Sequence, residues 1–193
     1  MNVIIIDYGA GNIQSIQFAF QRLGVNTKLS NSVEEILSAD KVIFPGVGEA
    51  SQAMQMLKKS KLDLLIPNLK QEVLGICLGM QLLCNHSEEG DTKGLGIFDV
   101  DVKQFSNAVK VPHMGWNTIQ NLQSGLLTDI PENSYMYSVH SYYADLGPQT
   151  IASSTYEHKF SAALQSDNFY GVQFHPEKSS KDGAQLLQNF LNL

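Results

Sequence analysis

The chain has 193 residues, of which 43% are hydrophobic, so it fits one compact domain and lies outside the compositions typical of disordered chains. Its net charge of −6 and its lack of any lysine- or arginine-rich run argue against nucleic-acid binding, which needs a positive surface. Neither a signal peptide nor a membrane-spanning helix is expected, because the N-terminus lacks a basic segment and no apolar run reaches roughly 18 residues.

The first half of the chain predicts strands that alternate with helices. The β-branched run Val3–Ile6 predicts a strand buried on both faces, and residues 9–12 predict a turn. A helix is predicted next, ending at Gly24, from apolar residues at helical spacing: Ile13, Ile16, Phe20 and Leu23. Further strands are predicted over residues 42–44 and 73–76, and further helices over 50–59 and 78–83.

The second half predicts short strands separated by turns, near residues 100–105, 111–119, 134–139, 150–156, 161–165 and 169–174. We expect these strands to be antiparallel additions to the sheet. An amphipathic helix over residues 185–193 is predicted from apolar residues on one side: Leu186, Leu187, Phe190 and Leu191. The chain is therefore expected to be a single α/β domain, residues 1–193, with a mostly parallel central sheet and flanking helices.

Residues 75–79 have the pattern G-x-C-x-G between a predicted strand and a predicted helix, the thiol version of a nucleophile elbow. A sharp turn there strains the backbone of Cys77, and the flanking glycines allow close backbone approach. The start of the helix favours a thiolate, and the N–H of Leu78 is placed to bind an oxyanion. The pattern predicts a nucleophile at Cys77, although a free cysteine is often an inert core residue, which is our interpretation of Cys84.

The cysteines also bear on the cellular compartment. Cys77 and Cys84 are seven residues apart in a stretch that we interpret as helical, which separates them by roughly 10 Å. A disulfide requires Cα atoms within roughly 7 Å, so we expect two free thiols, a reducing compartment and a cytoplasmic protein. The cysteines and histidines show no metal-ligand spacing, so no metal is expected.

A second motif ends the last predicted strand, where His175 is followed by Pro176 and Glu177. The proline favours an extended conformation at His175, and residues i and i+2 of an extended chain face the same side. Glu177 is thus expected to orient the imidazole, in the logic of a nucleophile, a base and an orienting carboxylate. Strand ends are also where open α/β sheets bind ligands.

With these motifs, the chain resembles the class I glutamine amidotransferases. The resemblance covers the whole chain and is carried by three segments: residues 45–48 (PGVG), 75–81 (GICLGMQ) and 173–177 (QFHPE). It implies a flavodoxin-like α/β fold, a triad of Cys77, His175 and Glu177, and no cofactor. Within this family, further segments resemble the glutaminase subunits of imidazole glycerol phosphate synthases: residues 7–12 (DYGAGN), 111–117 (VPHMGWN) and 139–142 (VHSY).

The resemblance implies that the chain hydrolyses L-glutamine to glutamate and ammonia through a cysteinyl thioester. It assigns the oxyanion site to the N–H of Leu78 and the backbone around Val47 and Gly48. It assigns the binding of the substrate's α-amino acid end to four residues: Gln81, His140, Ser141 and Tyr142. It also implies a heterodimer with a separate cyclase subunit, a (β/α)₈ barrel that uses the ammonia to make imidazole glycerol phosphate and aminoimidazole carboxamide ribotide. Asn12, Trp116 and Lys178 match positions near the subunit boundary.

Other interpretations remain open at the level of sequence. The glutaminase could serve another acceptor, such as the one used in anthranilate synthesis, although residues 113–117 argue against this. A Cys-His peptidase and a non-catalytic binding module are the remaining alternatives. For the interface residues, Trp116 has the alternative interpretation of a core aromatic, and Lys178 that of a solvated lysine. The glycines of residues 45–48 would allow a peptide flip that switches the oxyanion site when the partner binds.

Overall fold

The computed structural model describes residues 1–9 and 12–193. Ala10 and Gly11, within the turn predicted over residues 9–12, lie outside the described residues. The first half forms these elements: β1 Val3–Ile6, α1 Ile13–Arg22, β2 Thr27–Ser30, α2 Val33–Leu37, β3 Lys41–Phe44, α3 Ala50–Lys59, α4 Leu62–Leu65, β4 Glu72–Ile76 and α5 Leu78–Leu83. The predicted strands and helices are confirmed here. Three elements were not predicted from the sequence: β2, α2 and α4. The two helices are too short to show a helical period, and β2, an edge strand with the sequence TKLS, has no apolar run.

The second half forms ten elements within the described part of the chain: β5 Cys84–Ser87, β6 Thr92–Lys93, β7 Phe98–Gln104, β8 His113–Thr118, β9 Tyr135–His140, β10 Tyr142–Ala144, β11 Thr150–Thr155, β12 Lys159–Ser166, β13 Phe169–Val172 and α6 Ser180–Asn192. A short 3₁₀ helix, Pro176–Lys178, connects β13 to α6. All six predicted strands are found, whereas β5, β6 and β10 were not predicted.

The fold is α/β, with a sheet that is parallel in its first part and mixed in the rest. Among the described residues, eleven strands form this sheet, in the order β2-β1-β3-β4-β13-β12-β10-β7-β5-β6 with β11 paired to β12. The strands from β2 to β13 pair in parallel, and β12 begins the antiparallel part. This order places β4 and β13 side by side at the centre of the sheet.

Two expectations about the later strands are wrong. The segment near 169–174 is not an antiparallel addition, because β13 pairs in parallel with β4. The segments near 111–119 and 134–139 do not join the main sheet, because β8 and β9 form a separate two-stranded antiparallel sheet. Both outcomes depend on pairing between strands that are distant along the chain, which local periodicity does not encode.

The single helix expected through both cysteines is also wrong. Cys77 precedes α5, and Cys84 follows it as the first residue of β5. Both thiols are free, as expected. Cys84 is fully buried, and burial raises the pKa of its thiol, which agrees with an inert structural cysteine.

The start of α5 is pressed against the end of β3. A Cβ atom on Gly79 would lie 2.0 Å from the carbonyl oxygen of Phe44, so only glycine permits this contact. The contact brings the segment that follows β3, residues 45–48, beside the start of α5. The two glycine-containing motifs of the sequence are therefore neighbours in space.

The last helix, α6, begins at Ser180, five residues earlier than the predicted start at 185. Gly183, which lowers the helix propensity of this stretch, allows α6 to approach the 3₁₀ helix: a Cβ atom there would lie 2.1 Å from the carbonyl oxygen of Pro176. The predicted apolar side of α6 is buried, namely Leu186, Leu187, Phe190 and Leu191. No helix in the described ranges has the length and hydropathy needed to cross a membrane.

Candidate active site

Cys77 occupies the sharp turn between β4 and α5. Its backbone has φ 54° and ψ −113°, a region that non-glycine residues rarely adopt and that costs on the order of 1–3 kcal/mol. The backbone N–H of Cys77 donates to the carbonyl of Val172 at 2.8 Å, which ties the turn to the end of β13. Only 8% of Cys77 is exposed, and this part lines a cavity of about 440 Å³.

The parallel pairing of β4 with β13 brings the two predicted motifs together. Ile76 pairs with Val172, so Cys77 and Gln173 both lie just beyond the carboxyl ends of adjacent strands. His175 follows two residues later and lines the same cavity as Cys77. A cavity at the carboxyl ends of parallel strands is the usual location of ligand sites in this class of sheet.

His175 and Glu177 are in direct contact. The His175 Nδ1 and Glu177 Oε1 atoms are 2.8 Å apart, and both side chains are buried. The expected reason for this contact is wrong, because β13 ends at Val172 and Glu177 lies in the 3₁₀ helix Pro176–Lys178. The tight turn after an extended His175, rather than strand alternation, brings the carboxylate back to the ring.

The backbone around His175 is held in place by the second sheet. The N–H of His175 donates to the carbonyl of Tyr137 at 2.8 Å. The Ser179 hydroxyl donates to the carbonyl of His175 at 2.6 Å and accepts from the N–H of Tyr137 at 2.9 Å. These bonds attach the histidine segment to β9 and leave the imidazole few alternative orientations.

The environment of His175 favours the imidazolium. Burial acts to lower the pKa of this ring, but its interactions with Cys77 and with the carboxylate of Glu177 outweigh burial and raise the pKa to about 10. The second carboxylate oxygen of Glu177, Oε2, is buried and has no hydrogen-bond partner among the described residues. The carboxylate is thus directed at His175, where its negative charge favours the protonated ring.

The cavity contains the whole set of residues predicted for the substrate and the oxyanion: Val47, Gly48, Leu78, Gln81, His140, Ser141 and Tyr142. Asn12 and Lys178 also line it, whereas Trp116 and Glu177 line a second cavity of about 440 Å³ behind the histidine. Three lining residues were not predicted: Pro112, Val139 and Glu89. The carboxylate of Glu89 accepts from the N–H of Ala50 at 2.8 Å, and burial raises its pKa. Only its position in a polar loop after β5 could have indicated it.

The segment after β3, residues 45–48, is anchored by a hydrogen bond at Pro45 and has free space at Gly48. The hydroxyl of Tyr8 donates to the carbonyl of Pro45 at 2.8 Å. Gly48 has φ +102°, and no atom lies within 4 Å of the position that a Cβ would take. The peptide of Val47 and Gly48 therefore has both the backbone freedom of glycine and space to reorient.

His140 lies at the cavity wall, but both of its ring nitrogens are engaged by the protein. Nδ1 is 2.7 Å from the carbonyl of Tyr142, and Nε2 is 3.0 Å from Nδ1 of His113. Burial lowers the pKa of His140 to about 3, aided by the charges of His113 and His175 and opposed by the bond to Tyr142. The ring is neutral and has no nitrogen left to bind a substrate. Its role in the site is to hydrogen-bond the Tyr142 carbonyl and His113.

The residues predicted at a partner interface lie at or near the surface. Trp116 is 52% exposed, which excludes a core aromatic, and Met114 on the same face of β8 is 63% exposed. Asn12 is exposed directly before α1. The ammonium group of Lys178 lies 6.0 Å from the centre of the Tyr137 ring. Across residues 1–9 and 12–193, no group of three or more metal-ligating side chains is found.

Comparisons with known proteins agree with this geometry. The model of the family "Glutamine amidotransferase class-I" matches residues 4–193. The chain is 54% identical to "Imidazole glycerol phosphate synthase subunit HisH" of Bacteroides thetaiotaomicron over 196 residues, covering 100% of both chains. It is 47% identical to the protein of the same name in Vibrio parahaemolyticus, over 99% of this chain and 98% of the relative.

Solved structures show the same fold at low identity. The structure of PurLQS from Thermotoga maritima matches with a TM-score of 0.74 and 16% identity, covering 99% of this chain and 97% of that chain. At this identity the likeness concerns the fold alone. It confirms the predicted α/β class with its mostly parallel centre.

Replacing Glu177 with glutamine tests the electrostatics of the histidine. Glu177→Gln keeps the shape and an acceptor oxygen but removes the negative charge that favours the imidazolium. We expect the pKa of His175 to fall by at least about one unit, so that its proton leaves at lower pH. NMR titration of the ring resonances measures this, with His175→Ala to assign the signal. The His86 resonance, from a surface ring paired with Asp91 at 2.8 Å, is the internal control and should not move. An unchanged His175 midpoint would contradict the assigned role of Glu177.

Proposed function

Because the chain belongs to the class I glutamine amidotransferases, we propose that it is the glutaminase subunit of an imidazole glycerol phosphate synthase. The observation that carries the proposal is the site itself: a strained Cys77 shares a cavity with a His175 that is paired with a buried Glu177. Full-length identity of about one half to proteins named as that subunit supports the choice of pathway. Residues 1–193 would form one glutaminase domain.

The proposed reaction proceeds through a thioester. The thiolate of Cys77 attacks the side-chain carbonyl carbon of glutamine, and the carbonyl oxygen becomes an oxyanion. The N–H of Leu78 and the backbone at Val47 and Gly48 would hold that oxyanion. His175 gives its proton to the departing nitrogen, the C–N bond breaks, and ammonia leaves. His175 then takes a proton from water, which hydrolyses the thioester to glutamate and restores the thiol side chain.

Recognition of the α-amino acid end would fall to the polar groups that line the cavity around Tyr142. Ser141 and Tyr142 offer a hydroxyl each, together with backbone groups, and Gln81 lies beside them. Glu89 adds a carboxylate to the same cavity. A carboxylate is the group that pairs with the α-ammonium of glutamine, so we assign that role to Glu89.

The assignment of Glu89 is tested by Glu89→Gln. Loss of a charge-assisted hydrogen bond should raise the KM for glutamine by about tenfold to a hundredfold, with a smaller effect on kcat. Steady-state glutamate release measures both constants. The matched control is Glu88→Gln, which removes the neighbouring carboxylate from the exposed side of the loop and should leave KM unchanged. Equal KM values in wild type and Glu89→Gln would exclude a contact with the substrate.

The ammonia would be used by a partner. The relatives are named as subunits of a synthase, which supports a second chain. We propose that this chain is a cyclase with a (β/α)₈ barrel, that the two form a heterodimer, and that the barrel makes imidazole glycerol phosphate and aminoimidazole carboxamide ribotide. The free thiols support a cytoplasmic location.

Partner binding would also control the oxyanion site. Gly48 has the freedom and the space for its peptide to flip, and Val47 is exposed at the cavity rim. A cyclase docked over the rim would favour the conformation that directs an N–H into the site. The isolated chain is then expected to be nearly inactive.

The first test of the function mixes the purified chain with a cyclase subunit of a bacterial imidazole glycerol phosphate synthase and its ribonucleotide ligand. Glutamate release should be strong only with the partner present. It should fall by at least about 10⁴-fold in Cys77→Ala, because the variant has no nucleophile. Glutamate release that does not depend on the cyclase would still support a glutaminase, but one that serves another acceptor pathway. Absence of activity under all conditions would favour a binding module.

The docking surface is tested at Trp116. Exposed tryptophans at interfaces contribute strongly to affinity, so Trp116→Ala should weaken cyclase binding by at least about 2 kcal/mol, roughly thirtyfold in Kd. Isothermal titration calorimetry measures this. Leu64→Ala is the control, because Leu64 is an exposed apolar residue on α4, in a different part of the fold. Normal partner affinity in Trp116→Ala would show that Trp116 is not part of the interface. It would also weaken the assignment of Asn12 and Lys178 to the same interface.

A further inference from the structure

The proposed reaction leaves one group at the reacting sulfur without a role. Gln173 follows β13 directly and is only 1% exposed. Its amide nitrogen, Nε2, lies 3.8 Å from the sulfur of Cys77. The carbonyl oxygen of Val139 lies at the same distance from the sulfur, where it suits the protonated thiol as an acceptor. Gln173 is therefore a candidate donor to the deprotonated form.

The orientation of the Gln173 amide is decided by its neighbours. The carbonyl of Tyr142 can only accept, so the Gln81 group that faces it at 2.9 Å is the NH₂. The same NH₂ is 2.8 Å from Gln173, which must therefore present its oxygen to Gln81. It follows that the NH₂ of Gln173 faces the sulfur. This chain of constraints excludes the flipped amide, which would direct an oxygen at Cys77.

The Tyr142 carbonyl, on which these orientations depend, accepts two hydrogen bonds. The Tyr142 carbonyl also accepts from Nδ1 of His140 at 2.7 Å, so donors occupy both of its lone-pair positions. Because His140 carries its proton on Nδ1, its Nε2 accepts from Nδ1 of His113 at 3.0 Å. The amide of Asn117 in turn faces Nε2 of His113 at 3.3 Å. Every bond in this network, which runs from Asn117 to Gln173, has one permitted direction.

We propose that Gln173 is a further catalytic residue, whose amide N–H donates to the sulfur of Cys77 and stabilises the thiolate. Gln81 and His140 are positioning residues that orient the amide through the Tyr142 carbonyl. A neutral thiol sulfur is a weak acceptor and a thiolate a strong one, so the contact acts selectively on the charged form. It also favours departure of the sulfur when water hydrolyses the thioester. The inference rests on the proposed function in taking Cys77 as the nucleophile.

The test compares two substitutions of Gln173. Gln173→Glu keeps an acceptor oxygen for Gln81 but replaces the N–H at the sulfur with a second oxygen. Gln173→Met keeps the length of the side chain, removes the donor and introduces no charge. Gln123→Glu, at an exposed loop position, controls for the added charge. Circular dichroism establishes that each variant is folded.

The main readout is the rate at which iodoacetamide alkylates Cys77 in the isolated chain as a function of pH. Mass spectrometry assigns the label to Cys77 rather than to the fully buried Cys84. Loss of a hydrogen bond to a charged group should move the midpoint upward by about one to two pH units in both Gln173 variants. In the complex with the cyclase, kcat should fall by about tenfold to a hundredfold. Gln123→Glu should match the wild type.

The outcomes separate this proposal from the proposed function. A midpoint that moves in both Gln173 variants supports the donor, even if the wild type hydrolyses no glutamine. An unchanged midpoint in folded Gln173→Met overturns the donor, even if the wild type is a fully active glutaminase. A shift in Gln173→Glu alone also overturns it, because repulsion by the new carboxylate would then be the whole effect.

Discussion

The parallel pairing of β4 with β13 is the contact on which the rest of the site depends. Strands that are paired in parallel end at the same edge, so the register of Ile76 opposite Val172 brings the segments beyond the two strands together. Cys77 comes directly after β4, and Gln173 and His175 come after β13. The bond from the N–H of Cys77 to the carbonyl of Val172 joins the two ends directly. A shift of this register by one residue would reverse the side to which each group points.

Burial and charge oppose each other at His175, and charge prevails. A buried ring ordinarily loses its proton, as His140 does a short distance away. His175 differs because it interacts with Cys77 and with the carboxylate of Glu177, and its pKa is raised to about 10 despite its burial. Among the described residues, the second carboxylate oxygen of Glu177 has no hydrogen-bond partner, so His175 has no competitor at that oxygen for the negative charge. The pKa values of two buried histidines of one site thus move in opposite directions, and the difference is set by whether an anionic partner is present.

The small sheet of β8 and β9 connects the surface to the interior of the site. Alternation along β8 places Met114 and Trp116 outside, whereas His113 is buried opposite His140 of β9. The strand β8 therefore carries Trp116, one of the proposed docking residues. The two strands also carry His113 and His140, whose hydrogen bonds lead through Tyr142 and Gln81 to Gln173. The strand β9 also holds the backbone of His175 through Tyr137. A cyclase bound to the outer face would contact the element that positions both the base and the amide.

The sequence alone determined the local chemistry of this protein. The G-x-C-x-G turn, the proline after His175 and the alternating apolar runs are local patterns, and each has a steric or hydrogen-bonding cause that acts within a few residues. Only the tertiary structure decided which of these segments meet. The parallel position of β13, the separation of β8 and β9, and the 3₁₀ turn that returns Glu177 to His175 depend on pairing and packing across the chain. The same holds for Glu89, which enters the cavity, and for Gln173, whose amide faces the sulfur. A cavity wall and a hydrogen-bond network are assembled from residues that are distant in the sequence.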